Sequence, residues 1–168
     1  MSTSFKDEFI AQAIYRMEQS SEMISKCLDQ LSEDDMWLKP NDATNSVANL
    51  ILHLCGNITQ YAISSLGEQK DIRERDVEFS TTEGYTKSEL KTKLSSTVDA
   101  ALQTMNTCTE QQLLKVRGVQ GYTFSGIGII THVVEHYSYH TGQIALWTKI
   151  LKNKDLGFYN GIDLNITN

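Results

Sequence analysis

The chain has 168 residues, 40% of them hydrophobic and 21% charged, and carries a net charge of −6 from 15 basic and 21 acidic side chains. That length suits one folded domain with a real core, and the ordinary globular composition argues against a disordered chain. The acid surplus, with no local run of Lys or Arg, excludes phosphate-backbone binding as the main task, so nucleic acid is not an expected partner.

The opening stretch MSTSFKDEFI lacks the basic and apolar regions of a signal peptide, and no stretch nears ~18 consecutive apolar residues. The expectation is a cytoplasmic protein with no membrane partner. Between about residues 4 and 30, Phe5, Phe9, Ile10, Ala13, Ile14, Met17, Ile24 and Leu28 recur at helical intervals and predict a first helix. A polar loop follows, holding the only proline, Pro40. A second helix is predicted over about 46–66, with Asn45 or Ser46 as its N-cap. Residues 67–85 are charged and show no clear period. A third helix opens at Thr86-Lys-Ser-Glu89, a capping-box pattern, and runs to about Cys108.

Residues 113–124 place Val116, Val119, Tyr122 and Phe124 among glycines, which predicts a short hairpin or irregular segment. Ser125 then caps the longest helix, which reaches about Lys152. The tail is polar apart from Gly157–Tyr159 and carries no structural signal. Four long helices and little strand predict an all-α fold, a four-helix bundle forming a single domain over residues 1–168. Cys27, Cys55 and Cys108 are odd in number, widely spaced and form no CxxC, so they read as small buried hydrophobes rather than a disulfide, zinc or catalytic set.

The chemistry concentrates in the last helix, in THVVEHYSYHTGQIALW, where His132, His136 and His140 step by four residues. Imidazoles at i and i+4 project from neighbouring turns, ~6 Å apart at Cβ, and can converge on one ion. At about 100° per residue, His136 and His140 fall inside the apolar arc with Ile129, Val133, Tyr137, Ile144, Trp147 and Leu151. His132 falls at its edge beside Tyr139 and Gln143, and Glu135 falls on the polar side. Two histidines turned into a core need partners for their nitrogens, which a divalent metal or a hydrogen-bond network can supply.

His53 is the remaining histidine. It lies on a polar stripe with Asn49, Asn57, Gln60 and Ser64, a stripe that either faces solvent or lines a cavity between helices. His132-Val-Val-Glu135-His136 also matches the inverted zinc-peptidase pattern, but the outward Glu135 is poorly placed as its base. Tyr122 and Phe124 precede the last helix and are candidates for the mouth of a site.

His53-Leu54, followed about eighty residues later by His136-Tyr-Ser-Tyr-His140-Thr-Gly-Gln143-Ile144, resembles the DinB-like superfamily of metalloenzyme-type bundles, which includes bacterial thiol transferases. The resemblance spans nearly the whole chain in helix order and length. It implies that His53, His136 and His140 bind a divalent metal such as nickel, zinc, iron or manganese, with His132 outside the triad. It also implies a homodimer and a small-molecule substrate, in some members a low-molecular-weight thiol of the bacillithiol, mycothiol or glutathione type. The expected function is therefore a metal-dependent enzyme, with thiol S-transfer in detoxification or stress response as the leading reading. Metal-dependent hydrolysis and a non-catalytic, stress-induced metal-binding role are the alternatives. Gln143 is positioned to hydrogen-bond a ligand imidazole.

Overall fold

The structure, a computed structural model, describes residues 4–167, so the outermost residues of the predicted domain, 1–3 and 168, lie outside it. In chain order the elements are α1 (Phe5–Leu28), α2 (Glu33–Trp37), α3 (Val47–Ile58), a π-helical continuation (Thr59–Leu66), α4 (Arg75–Ser80), α5 (Lys87–Thr107), α6 (Glu110–Leu114), β1 (Val116–Val119), β2 (Tyr122–Ser125) and α7 (Gly126–Lys152). The architecture is all-α, as the apolar periodicity predicts, with one small antiparallel hairpin before the last helix. Helix α1 packs on α7 and α5, and α3 packs on the same two, which closes a ring of four long helices. No helix is long and apolar enough to cross a membrane.

The helix ends are set locally. Ser4, Ser46, Thr86 and Ser125 each accept a hydrogen bond from the backbone N–H three residues on. Of the two candidates before α3 the cap is Ser46, and its partner Asn49 returns the bond as a capping box. The hairpin turns through Gln120 and Gly121, both at positive φ (50° and 82°), the conformation a tight two-residue turn requires.

Three short helices depart from the sequence reading. Residues 33–37 and 110–114 each form a single capped turn or so, too short for periodicity to register. Helix α4 lies in the charged segment that shows no period. Its core-facing residue is Glu78, 8% exposed, while the apolar Ile72 and Val77 beside it are 73% and 52% exposed. The predicted second helix runs to Leu66 as expected, but its last eight residues wind as a π-helix. Such wider turns re-aim side chains and occur often at functional sites.

The core is built from Ile10, Met17, Ile24 and Leu28 of α1, Ile51, Leu54 and Ile58 of α3, Leu90, Leu94 and Met105 of α5, and Ile129, Val133, Tyr137 and Ile144 of α7. Tyr137 is wholly buried, and its hydroxyl is satisfied by Ser21 at 2.9 Å. All three cysteines are buried and free. Burial raises each thiol, that of Cys55 to about 11, which leaves them poor nucleophiles. Trp147 packs at the edge of the core and donates its indole N–H to the carbonyl of Leu38. Trp37 likewise donates to Tyr85 near the end of the bundle.

Candidate metal centre

The polar stripe of α3 faces inward. Asn49, His53, Asn57 and Ser64 are all buried, so the stripe lines an interior site rather than the surface. It meets α7 where the apolar arc of that helix is interrupted by half-buried histidines. His53 Nε2 lies 3.1 Å from His136 Nε2, and the His53 and His136 rings are 5.0 and 4.5 Å from the His140 ring. His53, His136 and His140 each offer one nitrogen, and the three nitrogens lie within 4.8 Å of one another. No other group of His, Cys, Asp or Glu among the described residues comes together with metal-ligand spacing.

The donor set fits a divalent ion. Two nitrogens bound at ~2.0–2.1 Å in tetrahedral geometry sit roughly 3.3 Å apart, close to the His53–His136 separation. His136 Nδ1 is buried without a hydrogen-bond partner, and burial without compensation is costly. Its ring is held neutral: burial, reinforced by His140, His53, His132 and Arg73, pushes its pKa down to about 3. Burial likewise lowers His140, against the opposing effect of its bond with Gln143. Neutral imidazoles with free lone pairs are what a metal requires.

A carboxylate orients the first of these rings. With its proton on Nδ1, His53 donates to Glu78 Oε2 at 2.9 Å, which leaves Nε2 bare and aimed at the cluster. Glu78 is held by Arg73, whose Nε donates to Oε1 at 2.7 Å and whose Nη2 donates to Oε2 at 2.8 Å. Arg73 Nη1 also donates to Gln60 Oε1, and Gln60 in turn donates to Asp71. Burial alone would raise the Glu78 carboxyl, but the bonds from Arg73 and His53 outweigh it and lower the pKa. Asn49 anchors the segment, donating its amide to the carbonyls of Glu78 and Thr81. On the opposite side, His140 Nδ1 meets Gln143 Oε1 at 2.7 Å, the partnership expected for that glutamine.

Gly56 makes this network possible. A Cβ at that position would lie 1.8 Å from Glu78 Oε1 and 3.0 Å from Arg73 Nε. A glycine inside a helix costs about 1 kcal/mol relative to alanine, and here it admits the ion pair against the α3 backbone. Gly56→Ala is therefore expected to lower stability by about 1–3 kcal/mol through overpacking and to weaken metal affinity with it. Denaturant unfolding together with chelator competition would check this, and an unchanged midpoint would contradict it.

His132 stands apart from the triad. It stacks on Tyr61 at 4.2 Å between ring centroids, and Asn57 Nδ2 donates to its Nε2 at 3.3 Å. Glu135 is exposed, so the inverted-peptidase constellation is not assembled. Tyr61 is carried by the π-helical stretch and donates to Gln120 of the hairpin turn at 3.0 Å. Tyr122 and Phe124 line the mouth, as their position before α7 suggests. Together with His53, His136, His132 and Arg75 they border an open cleft of about 540 Å³.

The residues that sequence reasoning missed are Arg73, Glu78 and Gly56. For the first two no periodic signal exists. Gly56, three residues past a histidine in an otherwise strong helix, was the available sign that something packs closely there.

A family model described as "Protein of unknown function (DUF1572)" matches residues 4–160. The chain belongs to that family. Its fold is DinB-like, shared with solved structures at low identity. A DinB-like protein from Bacillus subtilis aligns at 17% identity over 86% of this chain and 94% of that one, with a TM-score of 0.67. A conserved protein from Enterococcus faecalis aligns at 15% identity over 86% and 97%, with a TM-score of 0.68. A DinB-like protein from Bacillus cereus aligns at 15% over 86% and 91%, at 0.63. At such identities the likeness speaks for the fold. Curated proteins offer no match to this sequence.

The depressed histidine pKa values carry a pH signature. Below pH 6.5 the unfolded chain binds protons that His136 in the fold refuses until about pH 3. Stability of the metal-free protein is thus complete above pH 6.5 and falls as pH drops toward about 3. His140 and His132 act in the same direction. Thermal melts of chelator-treated protein should show Tm declining across that window. A flat Tm from pH 6.5 to 4.5 would contradict it.

Proposed function

We propose that this DinB-like chain is a single-domain metalloenzyme that holds one divalent ion through His53, His136 and His140 and acts on a small molecule, with thiol S-transfer as its reaction. The observation that carries the proposal is the convergence of three imidazole nitrogens within 4.8 Å beside an open cleft. Three protein ligands leave a position for a substrate atom, whereas structural sites are usually closed by four. An ion held by neutral ligands keeps its full charge and lowers the pKa of a thiol or water beside it.

The chain's own residues favour a thiol over water as the nucleophile. Hydrolysis calls for a free general base, and the carboxylate at this site, Glu78, has both oxygens engaged by Arg73 and His53. A thiol starts from a far lower pKa than water, so beside a cation its proton can pass to solvent through the open cleft without a positioned base. In this reading Glu78 fixes the tautomer of His53 and Gln143 orients His140. The rings of Tyr61 and Phe124 shield one side of the cleft from water. The resemblance to nickel-, zinc-, iron- or manganese-binding relatives bounds the metal to ions that accept imidazole. A homodimer belongs to the same proposal, supported by the exposed apolar stripe Tyr139, Leu146 and Ile150 along α7.

The test is elemental analysis of protein purified without an affinity tag, followed by turnover of an electrophile with bacillithiol, mycothiol or glutathione. Stoichiometric metal and a rate abolished by chelation are expected. Metal-loaded protein inert with every thiol would remove the transferase reading, and protein that takes up no divalent ion would remove the metal site itself.

A further inference from the structure

Arg75 brings a cation to the cleft beside the histidines. It stands at the mouth of the cleft, and its guanidinium lies over the Phe79 ring at 4.8 Å. The same ring lies 4.8 Å from His53, so one phenyl group touches both Arg75 and the histidine cluster. Although Glu74 and Asp76 flank it in sequence, Arg75 makes no ion pair among the described residues. With no carboxylate of the described residues on it, this guanidinium is available to an anion that enters the cleft. Its neighbour Arg73, by contrast, is buried and neutralised by Glu78.

Much of the remaining lining is aromatic. Tyr122 and Phe124 pack at 5.9 Å, Phe124 stacks toward His132 at 6.0 Å, and His132 stacks on Tyr61. Tyr122 is 62% exposed and therefore open to a ligand. The cleft thus brings flat aromatic rings, a guanidinium and two histidines of the cluster, His53 and His136, into one lining.

We infer that the substrate of this cleft carries a carboxylate, bound by Arg75, and a flat apolar group that lies on the Tyr122–Phe124–His132 wall. A guanidinium pairs with a carboxylate through two parallel N–H···O bonds, a planar geometry that a neutral amide cannot reproduce. Phe79 holds Arg75 in place by stacking, which lowers the ordering cost of that contact. Arg75 acts here in recognition, outside the reacting atoms. The inference takes from the proposed metal site only its position beside the cleft.

The test uses metal-loaded protein and two probes, 3-phenylpropionate and 3-phenylpropionamide, with affinities measured by ligand-observed NMR. The acid is expected to bind about tenfold more tightly than the amide. Arg75→Gln should erase that difference while metal content stays unchanged, and Phe124→Ala should weaken both probes. A difference that persists in Arg75→Gln would place the carboxylate elsewhere and overturn the inference. So would equal affinities, or no binding of either probe, in the wild type. If the wild type takes up no metal, the proposed function fails. The acid–amide comparison on that same protein still decides the role of Arg75.

Discussion

His136→Ala is expected to lower metal affinity by at least about a hundredfold, beyond the ~10–100-fold range typical of outer partners. Its ring sits at the centre of the cluster, 3.1 Å from His53 through Nε2 and 4.5 Å from His140 between centroids. Removing it deletes one donor and leaves two, too few to hold an ion against water. His132→Ala should keep nearly full metal content, because that ring is engaged by Tyr61 and Asn57 rather than by the cluster. Elemental analysis of the two purified variants separates the cases, and the reverse pattern would restore the peptidase register.

The same residue predicts a different effect on folding. His136 Nδ1 is buried without a partner, so an apolar replacement removes one uncompensated polar atom, and this offsets the loss of the 3.1 Å contact between Nε2 and His53. Metal-free His136→Leu is therefore expected to melt close to metal-free wild type. Such a separation of binding from stability is characteristic of a functional site. A variant much less stable than the metal-free wild type would identify His136 as a packing residue instead.

Glu78→Ala is expected to destabilise the protein by roughly 3–5 kcal/mol, the range for breaking a buried ion pair by removing one partner. The Arg73 side chain is 3% exposed and that of Glu78 9%, so the guanidinium would be left desolvated and uncompensated. His53 would lose the acceptor that fixes its tautomer, and metal affinity should fall by about 10–100-fold. Glu78→Gln keeps the shape and one acceptor but removes the charge, so it should be milder in stability and similar in affinity. Because the folded Glu78 carboxyl titrates below its usual 4.5, its contribution is present above that pH and is lost as pH falls further. Chemical unfolding with chelator competition on both variants would check these values. A Glu78→Ala protein as stable as wild type would show that the pair is solvated.

What was legible in the sequence was local. The caps at Ser46, Thr86 and Ser125 depend on hydrogen bonds spanning three residues, and the long helices depend on apolar spacing within one segment. The His136–His140 pairing spans one helical turn, so the wheel could aim both rings inward and leave His132 at the margin. Gln143 lies one turn beyond His140 and was legible for the same reason.

The rest required the tertiary structure. Nothing in the periodicity of α3 could tell whether the stripe of Asn49, His53 and Asn57 met solvent or a cavity, because polar side chains suit both until a facing helix is placed. His53 meets His136 across 83 positions of sequence, and the family resemblance, rather than spacing, linked them. Arg73 and Glu78 were invisible because residues 72–78 reverse the usual rule, burying a carboxylate and exposing Ile72 and Val77. A charge is stable in that position only when an opposite charge and an imidazole are brought to it, and those partners come from other parts of the chain. Sequence alone therefore determined a helical bundle with an inward histidine pair. Tertiary packing decided the third histidine's aim, the ion pair that sets it, and the cleft above it.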